Sequence, residues 1–274
     1  MAETGSPSVL RFENVTVSFD GEAVLRDVSF EAFEGESRVI LGAAGSGKTV
    51  LLKTALGLVQ PDSGRVLVFG KDLGKMREGQ LFDIRSRIGM VFQESALFDS
   101  LNIEENVAYP LRNQKSIRCP AGEVHGRVEQ ALDFVELGGT LEKFPAELSG
   151  GMRRRAAIAR AVVTAPPLVL YDSPSAGLDP ITAHTIMALL IKERDMTQTT
   201  TILVTYRYQD GNLMANFRYN SKQGRLEPAR HSDGPLPCTT FMVLREGRLV
   251  FEGDQDRLES TADEYISKFC KHRE

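Results

Sequence analysis

The sequence lacks the features that mark several common classes of protein. It has 3 cysteines, and because they form no C-x-x-C pair they favour reduced thiols over a zinc site or a disulfide framework: Cys119, Cys238 and Cys270. No apolar run approaches the roughly 20 residues of a membrane-spanning helix, and residues 1–8 have neither the basic nor the apolar region of a secretory signal. We therefore expect a cytosolic chain that reaches a membrane only through a partner.

An excess of basic residues is also absent. With 33 Lys+Arg against 37 Asp+Glu, the formal net charge is -4, which gives no sign of a nucleic-acid surface. The 274 residues are enough to form a large hydrophobic core, and this length alone suggests one or two domains. The composition agrees with a soluble globular protein and does not narrow its function further.

The most informative segment is a glycine-rich loop between an apolar strand at residues 38–41 and an apolar helix predicted for residues 47–58. It matches the P-loop pattern G-x-x-x-x-G-K-[ST] with Gly42, Ala43, Ala44, Gly45, Ser46, Gly47, Lys48 and Thr49. Backbone N–H groups and the helix dipole bind phosphates in this pattern, while the lysine reaches the β- and γ-phosphates and the hydroxyl binds Mg2+. The pattern therefore predicts a nucleotide site, to which we add Val50; a turn without a ligand is the alternative.

The segments around this loop predict an α/β fold. Residues 9–19 and 24–32 alternate apolar and polar side chains, which indicates two antiparallel strands. Phe19 ends the first strand, where its ring either stacks on an adenine base or belongs to the core. Two further strands are predicted at residues 65–70 and 88–93.

Helical periodicity dominates residues 94–167. It predicts helices at residues 102–111, 123–137 and 150–164. Residues 168–172 then form a β-rich run that ends in Asp172, as a strand does when it carries a carboxylate to the Mg2+ of a P-loop site. Parallel strands bring their carboxyl ends to one crevice, so Asp172 is expected beside the loop.

The C-terminal part contains less information. A helix is predicted at residues 180–194 and a strand at residues 200–205. Residues 208–238 are rich in Asn, Gly, Pro and charge, and we interpret them as a short helix followed by a long surface loop. A hairpin of residues 241–244 and 249–251 and a helix at residues 262–271 complete the chain.

A second glycine-rich segment narrows the family. Ser149, Gly150 and Gly151 open a helix and present N–H donors and a hydroxyl to an anion. Together with the P-loop, Gln93, Asp172 and the run that ends at Asp179, this segment resembles the ATP-binding cassette (ABC) ATPases over nearly the whole chain. The resemblance implies a single P-loop domain. Its core and antiparallel β subdomain would occupy residues 1–93 and 168–274, with a helical insert at residues 94–167.

The same resemblance implies how the ligands bind. Two ATPs would be sandwiched in a homodimer, or in a heterodimer with a second cassette. Each ATP would lie between the P-loop of one copy and the Ser149 segment and Asp179 of the other. Thr49, Gln93 and Asp172 would hold Mg2+.

A narrower likeness appears in residues 93–101, 105–111, 152–155 and 178–182, which resemble the Mla-type ATPases that energise lipid transporters with MCE proteins. It implies a subunit on the cytoplasmic face of the inner membrane whose residues 93–101 receive a coupling helix of a permease, in a system with an MCE-domain lipid-binding protein. The basic residues after the Ser-Gly-Gly segment either contact a phosphate or partner or form a solvated helix face: Arg153, Arg154 and Arg155.

Two residues depart from the ABC pattern at the reaction centre. Ser173 replaces the glutamate that orients or deprotonates the attacking water, and Tyr206 replaces a histidine. Serine is not a base near neutral pH, and a neutral phenol lacks the paired donor and acceptor of imidazole. We therefore predict intact ATP binding and slow hydrolysis, with Gln93, Ser173 or the Asp179 of the other copy left to orient water.

Three alternatives stay open at this point. The chain is a nucleotide-gated subunit that turns ATP over very slowly, or it has rebuilt its water-activating machinery around Ser173. The third is a soluble cassette acting on DNA or ribosomes, which calls for fused cassettes or a long coiled-coil insert. The sequence contains one P-loop and no such insert.

Overall fold

The largest sheet of the protein brings together the strands that the sequence places around the glycine-rich loop. The computed structural model describes residues 7–114, 116–229 and 238–271, and within them this sheet has six strands, all parallel except one edge strand. Their spatial order is β12 (Arg248–Gly253), β11 (Thr239–Arg245), β3 (Ser37–Leu41), β8 (Thr200–Thr205), β7 (Leu168–Asp172) and β6 (Ile88–Val91), with β12 antiparallel. Every residue of β3, β7 and β8 is buried, which explains why their apolar residues are consecutive and do not alternate with polar ones.

A second sheet of four antiparallel strands packs over the central sheet. Its order is β2 (Glu22–Phe33), β1 (Ser8–Phe19), β4 (Ser63–Val68) and β5 (Lys71–Asp72). Helix α1 (Lys48–Ala55) shares one hydrophobic cluster with both sheets, to which it contributes Leu51 and Leu52. Because α1 follows the glycine-rich loop directly, this packing fixes the loop between the two sheets.

Three helices between β6 and β7 form the predicted helical insert: α3 (Ile103–Asn113), α4 (Ala121–Phe134) and α5 (Gly150–Val162). Asn102 caps α3 by accepting a hydrogen bond from Glu105 N at 2.8 Å, and Glu105 Oε2 accepts one from Asn102 N at 3.0 Å. This reciprocal pair satisfies two N–H groups that a helix start would otherwise leave unpaired. The predicted fold class, an α/β protein with an antiparallel sheet and a helical insert, is confirmed.

Several predicted boundaries are wrong. Helix α2 (Glu78–Arg85) was not expected, and β6 ends at Val91, so Gln93 lies in the following loop. The short helix after β8 is present as α7 (Tyr208–Asn216). The prediction of a long surface loop after α7 is wrong, because a hairpin of β9 (Phe217–Asn220) and β10 (Arg225–Pro228) follows it. Residues 230–237 of the predicted loop lie outside the described residues.

The unexpected hairpin is held by α6 (Pro180–Thr197). Tyr219 N donates to Asp195 Oδ2 at 2.8 Å, and Arg194 Nη2 donates to Phe217 O at 2.8 Å. The ammonium of Lys192 lies 5.3 Å from the centre of the Tyr219 ring. Since these contacts come from a distant helix, local sequence could not indicate the hairpin.

The chain ends in α8 (Gln255–Glu259), which was not predicted, and α9 (Glu264–Lys271). Asp263 caps α9, because its Oδ1 accepts hydrogen bonds from Tyr265 N at 2.8 Å and Ile266 N at 3.1 Å. None of the helices in the described ranges is both long enough and apolar enough to span a bilayer.

Candidate nucleotide-binding site

The glycine-rich loop joins β3 to α1 with an open mouth. Gly45 and Gly47 have left-handed φ values of 76° and 102°, and Gly47 is the N-cap residue of α1. A Cβ on Gly47 would lie 2.8 Å from Val24 O, so this position needs glycine for space as well as for conformation. Ala43 and Ala44 are exposed, as Gly45 is, and they form the mouth of the loop.

Lys48 lies across the inside of the loop. Its Nζ donates to Gly42 O at 2.7 Å and to Ala43 O at 2.8 Å. Burial lowers the pKa of the Lys48 ammonium, and the nearby Asp172 carboxylate opposes that shift. A cation whose hydrogen bonds go to uncharged oxygens gains by exchanging them for anionic phosphates, and this favours nucleotide binding.

Thr49 and Asp172 meet at the carboxyl end of the central sheet. Thr49 Oγ1 donates to Asp172 Oδ2 at 2.8 Å, and Asp172 is buried at the end of β7. Hydroxyl and carboxylate oxygens are the ligand types that Mg2+ prefers, so the residues present fit that ion. In the parallel register of β6 and β7, Val91 pairs with Tyr171, and the exposed Gln93 therefore leaves the sheet beside this end of β7. Val50 lies one residue further along α1 and is partly buried.

Ser173 is turned towards Asp172. Its φ is 46°, its N donates to Val204 O at 2.8 Å, and its Oγ donates to Asp172 Oδ1 at 3.3 Å. The backbone of this turn is held from the other side, because Arg154 Nη1 donates to Ser173 O at 3.2 Å and to Pro174 O at 3.0 Å. The Ser173 hydroxyl is therefore buried and already paired.

The arginines after the Ser-Gly-Gly segment all bind backbone carbonyl groups. Arg153 Nη1 donates to Leu148 O at 2.7 Å, and Arg155 Nη1 donates to Val135 O at 3.1 Å. Burial lowers the pKa of Arg154, with Glu94 and Asp172 opposing the shift. Arg154 is buried and Arg155 is partly buried, so the interpretation as a solvated helix face is wrong for these two residues and holds for the exposed Arg153.

A buried carboxylate that the sequence did not reveal links the segment after Asp172 to the end of β8. Asp210 Oδ2 accepts hydrogen bonds from Ser175 Oγ at 2.6 Å and Thr205 Oγ1 at 2.7 Å, and Arg207 Nε lies 3.9 Å from Asp210 Oδ1. Burial raises the pKa of Asp210, although all three neighbours oppose it. The network fixes the backbone on both sides of the reaction centre.

Tyr206 follows this network in the chain, and its side chain lies at the surface. Its side chain is 49% exposed and borders a cavity of about 590 Å³ together with Ala43, Ala44 and Tyr265. Tyr206, which the sequence predicted to be a site residue, therefore lies beside the mouth of the glycine-rich loop.

The second glycine-rich segment faces outward. Ser149 is the N-cap residue of α5, and its Oγ accepts a hydrogen bond from Met152 N at 3.3 Å. Ser149 and Gly150 are exposed, whereas a Cβ on Gly151 would lie 2.6 Å from Thr182 Cγ2. Glycine thus allows the start of α5 to lie against α6 while its N–H groups stay open to solvent.

Asp179 and Phe19 are also at the surface. Asp179 caps α6 by accepting hydrogen bonds from Ile181 N at 3.1 Å and Thr182 N at 3.0 Å, and the hydrogen bonds from Thr182 are the main cause that lowers its pKa. The ring of Phe19 is 46% exposed, so its interpretation as a core residue is wrong. A free aromatic face is what stacking on a base requires.

A phosphate-binding loop followed by a helix, with its Thr hydroxyl bonded to the carboxylate that ends a neighbouring parallel strand, defines a P-loop nucleotide-binding protein. The model of the family described as ABC transporter matches residues 25–176, and the chain belongs to this family. It is thus a P-loop protein of the ABC type. The predicted family resemblance is confirmed.

The relatives agree with this assignment. The chain is 37% identical over 197 residues to the "Probable ribonucleotide transport ATP-binding protein mkl" of Mycobacterium leprae, covering 72% of this chain and 56% of that protein. It therefore spans little more than half the length of that relative. It is 34% identical over 204 residues to the "Intermembrane phospholipid transport system ATP-binding protein MlaF" of Escherichia coli K12, covering 74% and 75% of the two chains.

A solved structure shows the same fold. The dimeric post-hydrolysis state of the ATP-binding cassette MJ0796 bound to ADP and Pi aligns with a TM-score of 0.73 at 28% identity. The alignment covers 90% of this chain and 98% of that one.

Proposed function

We propose that this chain is the ATP-binding and ATP-hydrolysing subunit of a phospholipid transporter of the Mla type. The observation that carries the nucleotide part is the joint placement of Lys48, Thr49 and Asp172 in one loop-and-strand cluster. Bound Mg2+, held by Thr49, Gln93 and Asp172, would supply positive charge to the β- and γ-phosphates. Lys48 would exchange the carbonyl groups of Gly42 and Ala43 for phosphate oxygens.

The dimer completes the site in this proposal. The exposed N–H groups at the start of α5, with Ser149, Gly150 and Gly151, bind the ATP held by the P-loop of a second copy. Asp179 of that copy lies nearby, and Phe19 stacks on the adenine. The chain acts as one domain, with residues 1–93 and 168–274 as core and β subdomain and residues 94–167 as helical insert. MJ0796, which aligns over most of the chain, is a dimer.

Hydrolysis is slow in this proposal. The Ser173 hydroxyl already donates its hydrogen bond to Asp172, and residue 206 is a tyrosine instead of a histidine. Gln93 and the Asp179 of the second copy remain to orient the attacking water. The same observation favours the second candidate, a nucleotide-gated subunit that closes on ATP and opens rarely.

An aromatic groove next to Gln93 supports a transport role. Phe98 and Tyr109 are 41% and 42% exposed, and their ring centres lie 4.7 Å apart. Arg160 donates to Ala96 O at 2.8 Å and places its guanidinium 5.7 Å from the Phe98 ring. We assign this groove to a coupling helix of a permease, which would hold the protein at the cytoplasmic face of the inner membrane. An MCE-domain protein would complete the system.

The relatives carry two different substrate names, ribonucleotide and phospholipid. We favour phospholipid because the match to the MlaF relative covers three quarters of both chains, whereas the match to mkl covers little more than half of that protein.

Purification of the native complex, followed by protein and lipid identification, tests the proposal. We expect a multi-spanning permease, an MCE-domain protein and phospholipid. Partners from nucleotide, sugar or peptide transport would contradict it. The double variant Phe98→Ser and Tyr109→Ser should lose the permease, whereas Phe82→Ser, which changes a 63% exposed ring on α2 outside the groove, should keep it.

A further inference from the structure

The C-terminal helix touches the glycine-rich loop through one hydroxyl group. Tyr265 Oη accepts a hydrogen bond from Ala43 N at 3.2 Å and donates to Leu244 O at 3.3 Å. Leu244 is near the end of β11, the neighbour of β3, and Ala43 is the second residue of the loop. One phenol therefore joins the loop to the strand beside it.

The peptide group between Gly42 and Ala43 is held at both of its polar atoms. Its N–H donates to Tyr265 Oη, and its carbonyl oxygen accepts from Lys48 Nζ at 2.7 Å. When phosphates attract the Lys48 ammonium, the carbonyl group loses this partner, whereas the hydrogen bond from Ala43 N to Tyr265 Oη does not depend on Lys48. Tyr265 is then the contact that keeps this peptide group in place.

The Tyr265 side chain is itself fixed by its surroundings. Its ring packs edge-on against Phe269, with ring centres 5.4 Å apart, and the guanidinium of Arg245 lies 5.1 Å from its centre. Ile266 and Cys270 bury the opposite face of α9 in the core. A ring held in this way can define the position of a backbone group one hydrogen bond away.

We propose that Tyr265 is a positioning residue that keeps the first half of the P-loop in its phosphate-binding shape. The inference rests on the proposed binding of ATP at this loop and extends it to a helix 222 residues away in the chain. In the loaded state Tyr265 restrains the Gly42–Ala43 peptide group, so that less ordering is required when phosphates bind.

The variant Tyr265→Phe removes the hydroxyl and keeps the ring. We expect the Kd for ATP, measured by calorimetry, to rise roughly 2- to 12-fold, the range for loss of one neutral hydrogen bond. The Kd for inorganic pyrophosphate should rise by the same factor, because the effect lies at the loop and not at the adenine. Turnover per bound ATP should stay unchanged.

A matched variant separates this role from a merely structural one. Tyr208→Phe removes a neighbouring hydroxyl that bonds to Gln255 and Glu259 and not to the loop. It should keep the wild-type Kd.

An unchanged Kd in Tyr265→Phe, or an equal rise in Tyr208→Phe, would overturn the inference. Failure of the proposed function is seen separately, because Lys48→Ala would then bind ATP as well as the wild type does.

Discussion

Restoring the missing acid–base groups should raise the rate of ATP hydrolysis. We expect the double variant Ser173→Glu and Tyr206→His to turn over ATP about 10^2- to 10^4-fold faster than the unmodified protein, the gain typical of positioned acid–base groups. The phosphate-binding residues Lys48 and Thr49 and the carboxylate of Asp172 are already in place, so only the activation of water is supplied anew.

The same change carries a stability cost that follows from the structure. Ser173 is buried and donates to Asp172 Oδ1 at 3.3 Å, whereas a glutamate is an acceptor of the same charge as Asp172. Loss of the hydrogen bond and the new repulsion together should lower the free energy of unfolding by about 1–3 kcal/mol. Mg2+ and ATP should reduce this loss, because the positive charge of bound Mg2+ would offset the repulsion between the two carboxylates.

Steady-state ATPase assays with thermal melts measure both effects. Ser173→Gln is the matched control for the first position, since it has the shape of glutamate without a base, and it should not raise the rate. Brisk turnover by the unmodified protein, with no gain or a loss in the double variant, would show that Ser173 and Tyr206 are working parts of the site. The account of slow hydrolysis would then be wrong.

Three further predictions concern binding, packing and pH. Lys48→Ala should abolish most ATP affinity, and Ser149→Ala should leave ATP binding to the monomer nearly unchanged while weakening ATP-driven dimerisation, as calorimetry and light scattering would show. Arg154→Met should lower the free energy of unfolding in urea by about 2–4 kcal/mol, because it leaves the carbonyl groups of Ser173 and Pro174 without their donor, whereas the exposed Arg153→Met should cost less than about 1 kcal/mol. Burial raises the pKa of Asp210. Asp210 therefore stabilises the fold fully below the ordinary carboxyl pKa of about 3.9, and this contribution is lost as the pH rises through the raised pKa. Thermal melts over this pH range should show the dependence in the wild type and not in Asp210→Asn.

The strands of the central sheet could be predicted where burial on both faces gives a continuous run of apolar residues. Strands β7 and β8 begin and end at the predicted residues for this reason. Helix α2 was missed because only Leu81 and Ile84 are buried in it, too few to produce a periodic pattern. The β9–β10 hairpin was missed because its partners lie on α6, where Asp195 and Lys192 contact Tyr219.

Some residues of the site could also be predicted from the sequence, and others could not. Lys48, Thr49 and Asp172 are fixed by motifs whose chemistry demands those residue types. Burial of Arg154 could have been inferred, because it is in phase with Ile158 and Ala161 on the buried face of α5. The role of Tyr265 could not be predicted from the sequence, because its partner Ala43 lies 222 residues away and is exposed. The hydrogen bond uses the backbone N–H of Ala43, so the alanine side chain gives no sign of it.

Mixing two inactive variants tests most directly whether each ATP is bound by two copies of this chain. Lys48→Ala should fail to trap labelled ATP because its P-loops lack the lysine, and Ser149→Ala should fail because its dimer does not close. A mixed dimer has one site in which both changes meet and one site in which the P-loop of the Ser149→Ala copy faces the intact Ser149 of the Lys48→Ala copy. We predict that the mixture traps ATP on a filter although neither variant does alone. No trapping by the mixture, with both variants folded, would contradict a site shared between two chains.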